Sequence, residues 1–222
     1  MPGFRYASSI GVPWVEYDVR LTADHQLAVI HDATVDRTTD GSGPVCEQTL
    51  AQLMALDARA EFADWPDDCR IPTFAEVLDV TAGFEMAEVE IKPDKPERLE
   101  VLIPKVLDEI TAQRATDRVI VTSFNQTALR IVGDLAPELP RSFIGDWKDT
   151  DSVDTAVALG CSRGGLQYST TSSDVVQAAH QAGLAVVGWP CNTVEDYDAM
   201  AGWGMDGVTS DYPTTILAHA AA

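Results

Sequence analysis

What most constrains this chain is an alternation. From Trp14 onward, short apolar strand candidates take turns with amphipathic segments of helical period. Strands are expected at residues 14–21, 27–31, 86–91, 119–123, 142–144, 165–168, 185–189 and 207–209. Helices are expected at residues 73–80, 98–113, 126–135, 152–159, 173–182 and 194–203. The first of these opens on TFAE, a Thr with an acid three residues on, which is the pattern of a capping box. Repetition of this kind builds a parallel α/β sheet, because parallel neighbours need a long crossover and a helix supplies it. Two architectures meet that requirement, a (β/α)8 barrel and a doubly wound open sheet. No G-x-G-x-x-G follows the first strand, which weighs against a dinucleotide-binding sheet.

One interval breaks the rule. Between Leu21 and Leu27 there is no room for a crossover, and Thr22-Ala23-Asp24-His25-Gln26 reads as a turn. The two flanking strands should therefore form an antiparallel hairpin. If the turn is centred between Asp24 and His25, Asp18 lies opposite His31, with Glu16 one same-face step along.

Two carboxylates on one strand face repel each other unless a cation or a shared proton neutralises them. Hard divalent cations such as Mg²⁺ and Ca²⁺ take oxygen ligands in this way. A third donor is expected from AEVEIKPDK, where Glu88 and Glu90 alternate in an apolar strand and Lys92 follows. Glu90 is preferred, being nearer the strand's C-terminal end, where barrel sites form. The competing reading of this alternation is an edge strand facing solvent, which sits poorly with a parallel core of nearly all apolar strands. His31 beside such a cluster is placed for proton transfer, although a histidine there also has the plainer role of holding its neighbour Asp32. His25, His180 and His219 fall in a turn, a helix and an alanine-rich tail.

Composition narrows the function classes. The formal net charge is −20, and Lys and Arg are thinly scattered, which argues against a nucleic-acid partner. No apolar run is long enough to span a bilayer. The four cysteines, Cys46, Cys69, Cys161 and Cys191, form no C-x-x-C pair, so buried reduced thiols rather than a zinc site are expected. No signal peptide is visible at the start of the sequence, and no internal repeat or linker.

With these residues in hand, the chain resembles the glycerophosphodiester phosphodiesterase family, in its compact cytosolic bacterial form. The motifs that carry the resemblance are VEYDV, VIHDATVDRTTDGSG, IPTFAEVL, EIKP, VIVTSF, GWPCN and MDGVTSDYP, in the family's order and across almost the whole chain. The resemblance implies a (β/α)8 TIM barrel of the phosphatidylinositol-phospholipase-C-like type. It implies a single domain over residues 1–222, with an insertion at about residues 33–70 covering the barrel mouth. The implied activity is hydrolysis of glycerophosphodiesters to sn-glycerol 3-phosphate and an alcohol, with Mg²⁺ or Ca²⁺ as cofactor. Glu16, Asp18 and Glu90 match the family's metal ligands, and His31 matches one of its two catalytic histidines. Lys92 matches the phosphate-holding lysine and Trp189 the strand-end tryptophan that lines the substrate site. The implied partner is a small-molecule substrate, and the implied location is the cytoplasm, in lipid and glycerol metabolism.

The sequence departs from the family pattern at its start. The family opens with a strand ending in His-Arg-Gly, then Pro-Glu-Asn-Thr and the first helix. Here Phe4-Arg5-Tyr6-Ala7, which resembles the middle of that helix, follows Met1-Pro2-Gly3 directly. The expectation is a barrel without its first strand and without the second histidine, its arginine and the glutamate of that segment. The strands at residues 14–21 and 207–209 would flank the gap. Two other functions stand beside the phosphodiesterase: a non-catalytic barrel that binds metal and phosphodiester without turnover, and a different barrel enzyme acting on phosphorylated small molecules, for which no motif is present.

Overall fold

In the computed structural model, which describes residues 1–60, 62 and 64–221, the strand–helix alternation is present. It is divided between two units, Met1–Val119 and Ile120–Ala222.

The first unit runs α1 (Pro2–Ser9), β1 (Trp14–Leu21), β2 (Leu27–Val29), α2 (Leu50–Met54), α3 (Phe74–Val80), β3 (Met86–Ile91) and α4 (Pro96–Ala112). β1 is central, antiparallel to β2 and parallel to β3. The period of two along β1 separates its faces. Tyr17, Val19 and Leu21 are buried. Tyr17 meets Phe4 of α1 edge-on, ring centroids 5.6 Å apart, and Phe74 of α3 at 6.3 Å. Glu16 and Asp18 lie on the other face. The register with β3 pairs Glu16 with Glu88 and Asp18 with Glu90, so four carboxylates share one face of a two-strand ladder. Among the described residues of this unit, residues 14–18 of β1 pair with β3, whereas β2 pairs from Val19 to Leu21.

The hairpin exists, but its register corrects the expectation. Val19 pairs with Val29, Arg20 with Ala28 and Leu21 with Leu27, and the Ile30 N–H donates to the Asp18 carbonyl at 3.0 Å. Asp18 is thus aligned with Ile30, not His31, and β2 ends at Val29 instead of running on to His31. The cause is the loop. Thr22 N–H bonds the Gln26 carbonyl at 3.0 Å, which leaves Ala23, Asp24 and His25 as a three-residue turn centred on Asp24. His25 takes the left-handed conformation that closes such turns, with φ 57°. An odd loop moves the pairing by one residue from that of an even one. Thr22 Oγ1 accepts from Gln26 N–H at 2.9 Å and donates to Asp24 Oδ1 at 2.5 Å, which holds the turn.

Among the described residues from 33 to 70, the regular structure is a bridge between Thr34 and Pro44, a single turn at Val45–Glu47, and α2. Val35, Val45 and Leu53 pack with Ala28, Ile30 and Ile71 into a small core of its own. The expected capping box of α3 is present, with Thr73 N–H donating to Glu76 at 2.9 Å and Glu76 N–H to Thr73 Oγ1 at 3.1 Å.

The second unit continues with β4 (Val119–Ser123), α5 (Gln126–Leu135), β5 (Arg141–Gly145), α6 (Asp151–Ala158), β6 (Arg163–Gln167), α7 (Ser173–Gln181), β7 (Ala185–Trp189), α8 (Val194–Gly202), β8 (Gly207–Val208) and α9 (Pro213–Ala220). Its strands are parallel, in sequence order from β4 to β8. β4 is buried at every residue, as a parallel strand covered on both faces should be. Leu129, Phe143, Trp147, Leu166, Val176 and Val186 belong to the core of this unit. Trp147 lies so close to Gly164 that a Cβ there would approach its ring to 2.5 Å, so the second position of β6 has to be glycine. The alanine-rich C-terminus is helical in α9, which the sequence reading left unassigned, and its His219 bonds Asp198 of α8 at 2.7 Å.

Candidate metal and catalytic site

The two strands that carry Glu16, Asp18 and Glu90 bring one oxygen of each to within 4.8 Å of the others. This is the direct result of the in-register pair Asp18–Glu90 and the same-face step from Asp18 to Glu16. Asp18 and Glu90 are buried, at 8% and 5% exposure. Glu16 is half-buried, but its Oε1 is shielded from solvent and has no hydrogen-bond partner among the described residues. A buried carboxylate oxygen left without a donor costs free energy unless a cation or proton meets it. Glu88, the alternative third ligand, is not part of this cluster.

Lys92 follows β3, where its backbone N–H donates to the Val19 carbonyl at 3.3 Å. Its Nζ stands 2.7 Å from Asp18 Oδ1 and 2.9 Å from Glu90 Oε1, and the side chain is buried. Burial disfavours the ammonium, but the charges of Asp18 and Glu90 outweigh it and raise the lysine's pKa. The carboxyls feel the opposite pressure. Burial pushes Glu16 well above the usual carboxylate range, and the charges of Asp18 and Glu90 add to this while Lys92 opposes it. Burial also raises Glu90, against the charge and hydrogen bond of Lys92. Fully ionised, three carboxylates face one ammonium, and a divalent cation would cancel the charge that remains. Donor type, number and the unpartnered Glu16 oxygen all fit a hard cation.

His31 lies just past the end of β2, with a side chain 66% exposed. Its carbonyl accepts from Arg20 of β1, at 2.7 Å from Nη2 and 3.0 Å from Nε. Its ring Nδ1 lies 2.7 Å from Asp32 Oδ1. Asp32 in turn is gripped by Arg37, with Nε 2.7 Å from Oδ2 and Nη2 3.1 Å from Oδ1. Arg37 first, and His31 after it, hold the Asp32 carboxyl far below its usual range. Of the two readings of His31, the plainer one is present as a contact: its ring holds the neighbouring Asp32. The roles of Arg20 and Arg37 were not singled out from the sequence. The signal for Arg37 was its place in the HDATVDRTT run, and Arg20 carried none.

Trp189 ends β7 in the second unit. It meets Phe124, at the end of β4, edge-on with ring centroids 5.6 Å apart. Its indole Nε1 is shielded and has no hydrogen-bond partner among the described residues, and Phe124 is 40% exposed. The other histidines are engaged elsewhere: His25 in the hairpin turn, His180 with Asp206 at 3.0 Å, and His219 with Asp198.

Comparison with known proteins converges on one group. Residues 1–215 match the model of a family described as the glycerophosphoryl diester phosphodiesterase family. A glycerophosphodiester phosphodiesterase of Caldanaerobacter subterraneus subsp. tengcongensis is 32% identical over 96% of this chain and 88% of its own. A Bacillus subtilis protein of the same name is 29% identical over 95% of this chain and 77% of its own. Among solved structures, an Oleispira antarctica phosphodiesterase in complex with the product sn-glycerol-3-phosphate superimposes with a TM-score of 0.93 at 26% identity, covering 100% of this chain and 90% of that one.

Proposed function

This chain belongs to the glycerophosphoryl diester phosphodiesterase family, an α/β enzyme of the TIM-barrel type, and we propose that it uses a divalent cation to hydrolyse glycerophosphodiesters to sn-glycerol 3-phosphate and an alcohol. The observation that carries the metal dependence is the cluster of Glu16, Asp18 and Glu90 around the unpartnered Glu16 Oε1. Those three residues would hold Mg²⁺ or Ca²⁺. When bound, the cation supplies Lewis-acid neutralisation of charge on the phosphoryl oxygens.

The chain's own residues supply the rest. Lys92 has three N–H donors and faces two carboxylates, so one donor remains for a phosphoryl oxygen. His31 takes the proton of the glycerol hydroxyl as that oxygen bonds to phosphorus, that proton passes to the departing oxygen as its P–O bond breaks and the alcohol leaves, and a water then opens the cyclic phosphate, its hydroxyl going to phosphorus and its proton to the released glycerol oxygen. Trp189 is the proposed contact for the organic part of the substrate. The segment from residue 33 to residue 70 is the proposed cover of the mouth, within one barrel domain over residues 1–222.

The test is release of sn-glycerol 3-phosphate from sn-glycero-3-phosphocholine with Mg²⁺, Ca²⁺ or EDTA. Release that needs the cation, and that falls by about 10²–10⁴ in kcat for His31→Ala, is expected. Release undiminished by EDTA sinks the metal dependence. Absence of turnover, with calorimetric binding of Ca²⁺ and sn-glycerol 3-phosphate intact, would favour the non-catalytic barrel instead.

A further inference from the structure

An ionised carboxylate has acceptors only. Asp32 is ionised, since Arg37 grips both of its oxygens and holds its carboxyl far down. The 2.7 Å contact between His31 Nδ1 and Asp32 Oδ1 is therefore a hydrogen bond in which Nδ1 donates. A neutral imidazole carries one ring proton. With that proton on Nδ1, the lone pair belongs to Nε2, on a side chain that is 66% open.

We propose that Asp32, clamped by Arg37, is a positioning residue that fixes His31 in its Nδ1–H tautomer and leaves Nε2 as the nitrogen that exchanges protons with substrate. This rests on the reading of His31 as the proton-transferring group. Arg20 completes the arrangement from the other side by binding the His31 carbonyl, so both the backbone and the ring of this residue are held although it lies outside any strand. When Nε2 takes a proton from the attacking hydroxyl, the imidazolium keeps its Nδ1–H on Asp32, and the same proton on Nε2 is then available to the departing alcohol. Asp32 remains a carboxylate throughout, because Arg37 stabilises its charge. Among the described residues, Asp32 touches the ring, Arg37 stands behind Asp32, and Arg20 of β1 binds the His31 carbonyl.

The experiment is ¹⁵N NMR of the four histidines at about pH 9, where imidazoles are neutral, with His31 assigned by its loss in His31→Ala. The wild type should show His31 protonated at Nδ1, and Asp32→Asn should move it to the Nε2–H form. The same variant should lose about 10²-fold in kcat with KM within about twofold, and Arg37→Gln about 10-fold. Calcium affinity by calorimetry should be unchanged in both, since neither residue touches the carboxylate cluster. Should Asp32→Asn fold poorly, the wild-type tautomer and the same measurement on Asp32→Ala carry the test. An Nε2–H tautomer in the wild type, or a tautomer indifferent to loss of the Asp32 carboxylate, overturns the inference. The NMR readout needs no turnover, so a failure of the phosphodiesterase reading and a failure of this one are told apart.

Discussion

At the scale of single residues, Glu16 is where the molecule holds a charge at a cost. Its carboxyl is raised by burial first and by Asp18 and Glu90 next, so its folded-state pKa lies above its unfolded one. The linkage sign follows: relative to the unfolded chain, its contribution is most favourable at low pH and is lost as pH rises through the raised value. Glu16→Gln removes that burden. Without metal, the variant should melt higher than wild type at about pH 8, by about 2–4 °C for each kcal/mol recovered, and the gain should narrow on acidification. A gain that is the same at pH 8 and pH 5 would assign it to something other than the charge. The difference between Glu88 and Glu90 belongs to this scale too. Both alternate on one face, and the position nearer the strand end joins Asp18 because the parallel register sets them side by side.

Elements show where local chemistry is enough and where it is not. The start of α3 was legible as TFAE, because a Thr at the N-cap and an acid three residues on satisfy two helix-end donors between them. The tertiary addition is Arg70, whose Nη2 lies 2.5 Å from Glu76 Oε1. Arg70 first, helped by the Thr73 N–H, pulls the Glu76 carboxyl down to about 2. A depressed carboxylate stabilises the fold above its unfolded value and loses that contribution as pH falls toward the folded one. Both side chains are more than a third exposed, so screening keeps the ion pair at about 1 kcal/mol or less. Glu76→Gln should lower stability by about 0.5–1 kcal/mol at pH 7, and urea melts should show the gap closing between about pH 4.5 and pH 2. A gap undiminished at pH 3 would rule out the charge as its source. The hairpin at β1 and β2 is the counter-example. Its existence was legible from a connection too short for a crossover, but its register was not, because His25 adopts a left-handed conformation and the loop counts three residues.

For the molecule as a whole, the proposed cation site should act as a stabiliser. A ligand bound only by the folded state adds about 2.7 kcal/mol at one hundred times its Kd. For a chain of 222 residues that corresponds to a rise of about 5–10 °C in Tm. The net charge of −20 complicates the comparison, because any divalent salt screens self-repulsion. Calorimetric melts of wild type and of Glu16→Gln/Asp18→Asn in CaCl₂ or MgCl₂ separate the two effects. The wild type should show a saturable rise, and the double variant only the unsaturated part common to NaCl at equal ionic strength. Equal, saturable rises in both proteins would remove these carboxylates from the site. Among the described residues, no helix is long and apolar enough to cross a membrane.

The sequence by itself determined the α/β class, the position of nearly every parallel strand, the hairpin, the shared face of Glu16 and Asp18, and the place of Glu90 and Lys92 near the end of a neighbouring strand. These follow from periods of two and 3.6 and from chain lengths between elements, which are local quantities. Tertiary structure alone decided which atoms meet. A strand period says that a residue faces inward but not what stands across from it, and a one-residue change in a loop realigns a whole strand. Long side chains add their own freedom: Lys92 reaches back to Asp18 and Glu90, and Arg20 and Arg37 converge on His31 and Asp32 from different elements. Those contacts are made by rotamers chosen under burial and charge, and neither is set until the strands have paired.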